Sequence, residues 1–144
     1  MVAYSCTVGN GDAHLKNFSV TYRHAEDLVE LAPAYDIVST MPYIPRDTMA
    51  LTMEGSKQFP DRTRLAKFVR QITGKSDKAA QELLDQVRQG VEAALREAAD
   101  YGRRYPDANR FVARVSEVMN VGISRLTDGL APTVPVEVEF GPAP

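Results

Sequence analysis

The segment Gly9-Asn10-Gly11-Asp12-Ala13-His14-Leu15-Lys16-Asn17 places a carboxylate, an imidazole, an ammonium and an amide within six positions. Asn-Gly and Gly-Asp pairs favour positive φ, so composition alone supports a simple turn. A turn, however, has no need of the His, the Lys or the second amide. A further carboxylate follows downstream, Asp36 in Ala34-Tyr35-Asp36-Ile37-Val38-Ser39. These types suit phosphoryl transfer. Mg²⁺ takes oxygen ligands and bridges the phosphates of a nucleoside triphosphate, and in-line transfer needs a separate carboxylate beside the acceptor hydroxyl. Two Asp and one Asn meet both needs.

The spacing of Asp12 and Asn17 is that of a protein-kinase catalytic loop, and Asp36 follows a hairpin signal as the metal-binding Asp of kinases does. More specifically, the chain resembles the bacterial HipA-like serine/threonine kinases, toxin components of toxin–antitoxin modules, whose catalytic loop reads N-x-D-x-H-x-K-N-F-S. Asn10-Gly-Asp12-Ala-His14-Leu-Lys16-Asn17-Phe-Ser19 matches every fixed position. The family's P-x-Y-D-[IV]-[IVL]-S motif is matched by Pro33-Ala-Tyr35-Asp36-Ile-Val-Ser39, and its L-x-M-x-G segment more weakly by Leu51-Thr-Met53-Glu-Gly55.

The resemblance implies Asp12 as the catalytic base and Asn17 and Asp36 as the Mg²⁺ ligands. It assigns His14, Lys16, Asn17, Tyr35 and Asp36 to the nucleotide and phosphate site, with ATP as substrate. Read from the residues themselves, rival roles stand beside these: His14 bracing the loop by hydrogen bonding, Lys16 as a solvated loop cation, Tyr35 as half-buried packing with a polar tip. Asn10 is expected to fix the loop backbone. The implied partners are a helix-turn-helix antitoxin or a separate N-lobe chain, a protein Ser or Thr substrate, and DNA only indirectly through an antitoxin.

A kinase of this family also needs an N-terminal lobe with a phosphate-covering loop and a lysine, yet here the catalytic loop begins by residue 10. Neither G-x-G-x-x-G nor G-x-x-x-x-G-K-[ST] occurs. The chain is therefore expected to correspond to the C-terminal lobe over residues 1–128, catalysing ATP- and Mg²⁺-dependent transfer when an N-lobe completes it and inactive alone. An expressed fragment, a truncated gene and a split system all fit the sequence. A non-catalytic interaction module that binds an antitoxin or partner chain is the alternative function.

The elements that must hold these residues fall into two textures. Up to Pro60 the chain is punctuated by Gly and Pro, with strand-like runs at 18–22 and 28–31 forming a hairpin and a third short strand expected at 48–53. Met1 to Val8 reads as the end of a helix too short to stand without packing on something. Beyond Pro60 the period changes. Leu65, Phe68, Val69 and Ile72 predict a helix from the N-cap Asp61 to Gly74, and a longer stripe from Ala80 to Ala98 follows Ser76 and reaches Gly102. Pro106 opens a third helix with Phe111, Val112, Val115, Val118, Met119 and Leu126 on its apolar face. The expected fold is mainly α (α+β): a kinase-like C-terminal lobe, a helical bundle with a small β-hairpin carrying the catalytic loop. Residues 129–144, which include four prolines, are expected to form an extended or disordered tail.

Composition narrows the classes. With 44% apolar and 25% charged residues the chain is of ordinary globular make-up, and a net charge of −2 gives no general attraction to nucleic acid. No run approaches the ~20 apolar residues of a membrane span, and the N-terminus has no signal-peptide pattern. One cysteine, Cys6, rules out an internal disulfide framework and fits a reducing cytoplasm, with burial the expected state of its thiol.

Overall fold

The computed structural model describes residues 1–127, so the tail expected at 129–144 lies outside the described residues. The architecture is mainly helical: α1 (Val2–Thr7), α2 (Arg62–Thr73), α3 (Asp77–Arg104) and α4 (Asn109–Leu126), with one antiparallel pair, β1 (Val20–Thr21) and β2 (Glu30–Leu31). No helix among the described residues is long and apolar enough to cross a membrane.

Local chemistry explains the helix limits. The Asp61 carboxylate accepts the Arg64 amide at the start of α2, and Gly74 closes that helix at φ 66°, a left-handed position that glycine adopts without a Cβ clash. The Ser76 hydroxyl accepts the Ala79 amide at the start of α3, which continues past Gly102 to Arg104. The spine of the molecule is α3. Ala80, Leu84, Val91 and Leu95 are fully buried along it, and α1, α2 and α4 all pack against it. Buried Arg62 ties three helices together, donating to the Gln81 side chain (2.6 Å), Asp85 (2.9 Å) and the Leu126 carbonyl (2.9 Å). That last bond satisfies a carbonyl that the end of α4 would otherwise leave open.

At six residues α1 is too short to persist alone, and it docks into the chain's own core: Ala3, Ser5, Cys6 and Thr7 are buried, with α3 and α4 against them. The contact is close enough to require glycine. A Cβ on Gly122 of α4 would stand 1.8 Å from the Thr7 carbonyl oxygen. Burial pushes the Cys6 thiol up to about 11, so it stays protonated at neutral pH.

Four expectations need correction. The 48–53 segment is no strand: Glu54 (φ 52°) and Gly55 (φ 76°) reverse the chain between Met53 and Ser56, which exchange both backbone hydrogen bonds in an isolated bridge. Met49 and Met53 both turn into the core. Pro106 starts a single 3₁₀ turn (Pro106–Ala108), and α4 begins only at Asn109. Ile72 and Phe111 face outward rather than inward, and the Phe111 ring lies 5.7 Å from that of Tyr43.

Candidate active site

The C-terminus of α1 delivers the chain directly into the polar loop. Gly9 (φ 69°) makes the exit turn, and its carbonyl accepts the amides of Thr40 (3.1 Å) and Met41 (3.4 Å). Ser39 donates its hydroxyl to the Val8 carbonyl (2.6 Å), and Gly11 donates its amide to the Thr40 hydroxyl oxygen (2.8 Å). The single Thr40 hydroxyl proton has two acceptors in reach, Asp47 Oδ2 at 2.5 Å and the Gly9 carbonyl at 3.1 Å. Asp47 is itself held, because its Oδ1 accepts the Thr48 amide (2.9 Å). The Asp47 carboxylate lies so near that a Cβ on Gly11 would come within 2.0 Å of Oδ2. Side chains from 39–47 thus clamp the loop from below.

Within the loop, Asn10 is buried and its Oδ1 accepts the Asp12 amide (3.0 Å). That bond leaves the Asp12 side chain exposed, and its carboxylate has no partner among the described residues. The His14 amide donates to the Asp12 carbonyl (2.8 Å) and to Asn17 Oδ1 (2.9 Å), while its ring Nδ1 is buried without a hydrogen bond. A 3₁₀ turn, Leu15–Asn17, then carries Lys16 outward and Asn17 inward. The Lys16 ammonium makes no ion pair among the described residues, and its carbonyl accepts the Tyr35 hydroxyl (2.6 Å).

The two sequence motifs meet at Asn17 and Asp36, where Asn17 Nδ2 donates to Asp36 Oδ2 at 2.5 Å across the base of the hairpin. Asp36 holds φ 54°, a left-handed backbone that costs a non-glycine residue about 1 kcal/mol and that clusters at functional sites. Tyr35 to Lys16 and Asp36 to Asn17 are parallel tethers between the same two segments.

The donor chemistry fits Mg²⁺ held together with a nucleotide. Asn17 Oδ1 keeps a lone pair beyond the one given to the His14 amide, and Asp36 Oδ1 accepts no hydrogen bond among the described residues. No group of three or more His, Cys, Asp or Glu among the described residues could hold a metal by itself. A Mg²⁺ ion bound by one carboxylate plus substrate phosphates and water does not require one.

Thr40 and Asp47 are the residues that sequence reasoning missed. Thr40 directly follows the second motif, and that adjacency was the available signal; Asp47 carried none, since its role depends on a contact with Gly11 made only by folding. Beside the site, the hairpin exposes Val20, Leu28, Val29 and Leu31, with Leu28 91% and Leu31 81% accessible. Leu15 lies exposed on the adjoining turn.

Comparison with known proteins agrees with the two motifs. The model of the HipA-like C-terminal domain matches residues 1–95. A protein of Sinorhizobium fredii (strain NBRC 101917 / NGR234) named "Putative kinase Y4dM" is 34% identical over 92 residues, which cover 63% of this chain and 22% of that protein. The chain therefore spans about a fifth of the length of that relative. No solved structure matches the chain at a significant level.

Proposed function

Because the chain belongs to the HipA-like C-terminal domain family, we propose that it is the catalytic lobe of a serine/threonine protein kinase, using ATP and Mg²⁺ and completed by a nucleotide-covering lobe. The observation that carries the reading is the direct contact of Asn17 with Asp36, which joins two motifs nineteen positions apart beside an unpartnered Asp12.

In the proposed reaction the acceptor Ser or Thr oxygen attacks the γ-phosphorus in line as the bond from that phosphorus to the β-γ bridging oxygen breaks and ADP leaves. Asp12 accepts the hydroxyl proton, for which an uncommitted, solvent-facing carboxylate on a backbone fixed by Asn10 is suited. Asn17 and Asp36 would hold Mg²⁺, whose chemistry there is to neutralise charge on the β- and γ-phosphates. The Lys16 ammonium, with no ion pair among the described residues, is free to meet a phosphate as a point charge. The exposed apolar face around Leu28 and Leu31 is the surface the covering lobe would bury. A helix-turn-helix antitoxin, a cytoplasmic setting and a protein substrate complete the proposal.

The test is transfer of label from radioactive ATP to protein, by this chain alone and with the N-terminal lobe of a HipA-like kinase supplied. Labelling is expected only with both parts and Mg²⁺ present. Absence of labelling in every combination would favour a non-catalytic interaction module.

A separate expectation concerns the metal half-site. Titration of the chain alone with Mg²⁺ should shift the NMR signals of Asn17 and Asp36 with an affinity in the millimolar range, because water must fill most of the octahedron when no triphosphate is present. In Asp36→Ala the Asn17 response should vanish. An unchanged Asn17 response in that variant would show that Asp36 is not a ligand.

A further inference from the structure

The hairpin beside the catalytic loop has two unlike sides. Val20 pairs with Leu31, and Thr21 with Glu30, across β1 and β2. Side chains along a strand alternate between faces, so Val20 and Leu31 share one side, and Tyr22 and Val29 follow on that side two residues further along each chain segment. The opposite side carries Thr21 and Glu30. That polar side is at ease in water. The apolar side is also left in it, with Val20 (52%), Tyr22 (63%), Val29 (62%) and Leu31 (81%) all exposed.

Apolar side chains exposed singly are ordinary, but four in one cross-strand block form a patch. At those exposures they present on the order of 500 Å² of surface, a size that on a soluble chain marks an interaction site. The hairpin needs such a contact. Its strands are two residues each, and a two-stranded hairpin is marginal until something packs on its apolar face.

We propose that this face is a homodimer surface, on which a second copy of the chain lays its own hairpin face to face about a two-fold axis. Two such faces together bury about 1,000 Å², the lower bound of a specific interface and the range of weak, reversible dimers. The block suits pairing with itself because its centre holds no charge. Charged residues stand beyond it, Arg23, Glu26 and Asp27 at the hairpin tip and Lys16 before its base. An apolar centre with a charged rim is the usual anatomy of an interface. With the two hairpins antiparallel, the tip of one copy lies over the base of the other, which brings Glu26 toward a Lys16 ammonium that has no ion pair among the described residues. The inference stands on the hairpin, and the kinase reading enters only its consequence: a second copy and a covering lobe exclude each other on this surface.

Sedimentation of the full chain up to about 500 μM, without nucleotide or a second lobe, is the test. A monomer–dimer equilibrium with Kd on the order of 10–100 μM is expected. Leu31→Glu should raise Kd more than tenfold, and Val29→Glu, on the same face, serves as a second probe; both change exposed side chains and should leave the melting temperature of the dilute chain in place. Thr21→Lys, on the polar side opposite Glu30, should leave Kd within about twofold. The proposal is overturned if the chain stays monomeric at the highest concentration, or if neither Glu variant weakens association. It is equally overturned if Thr21→Lys weakens association as much as they do, or if assembly runs past the dimer. Since no readout involves ATP, failure here is separable from failure of the catalytic proposal.

Discussion

Asp12→Ala is expected to lower kcat for protein phosphorylation by about 10³-fold in the chain completed by a nucleotide-covering lobe, with the KM for ATP nearly unchanged. The exposed Asp12 carboxylate makes no hydrogen bond or ion pair within the described residues, so its removal should cost chemistry and not folding, and general-base contributions are on the order of 10²–10⁴-fold. Thr40→Val separates this role from positioning. It removes the hydroxyl that accepts the Gly11 amide and donates to Asp47, leaving that amide and carboxylate without their partner. A shift of the loop by a fraction of an ångström is expected to lower kcat by roughly 10–100-fold, with a fall in thermal stability that Asp12→Ala does not show. Radiolabel kinetics and thermal melts on both variants check the pair; full activity in Asp12→Ala would remove Asp12 from the mechanism.

The second large effect is on stability. Gly122→Ala should destabilise the fold by about 3 kcal/mol, a fall of roughly 10 °C in Tm, because its new methyl would stand 1.8 Å from the Thr7 carbonyl oxygen, with backbone on both sides and no flexible side chain to yield. Gly90→Ala is the control. It sits inside α3 with nothing within 4 Å of the added Cβ, and should stabilise by about 0.5–1 kcal/mol through reduced freedom of the unfolded chain. Two chemically identical substitutions in helices should therefore move Tm in opposite directions. A similar Tm for both would mean that α1 is not seated on α4 as described.

Local rules made much of this fold readable. Asp61, Gly74 and Ser76 act within one turn of themselves, and the helix limits they imply stand within a residue or two of those observed. Other elements depend on what lies across from them. Ile72 continues the α2 stripe in sequence but has no neighbouring element to bury it, and Phe111 finds Tyr43 instead of the core. The 48–53 run carries strand-like residues, yet the reversal at Glu54 and Gly55 turns the chain back at once and leaves only the isolated bridge of Met53 with Ser56. At the site, the motifs named the residues, and the resemblance paired Asn17 with Asp36, which meet in the structure. Of the clamp, only Thr40 left a signal, its adjacency to the second motif, because the contacts with Gly11 that give Thr40 and Asp47 their role are made only on folding.

The seating of Gly122 against Thr7 also bears on when the site can form. These residues stand at opposite ends of the described chain, and the loop from Gly9 to Asn17 hangs directly from the helix they share as a contact. Closing so long a stretch costs entropy before the contact returns anything, and contacts of high sequence separation are made late. During synthesis the polar loop would emerge before α4 and wait for that helix before its backbone was held in place. Until then α3 has no complete partner set and the carboxylates of Asp12 and Asp36 are two solvated charges on an unfixed strand of chain. The geometry of the polar loop is thus an end-of-folding property, coupled to completion of the helical bundle and not to the stretch of sequence that encodes it.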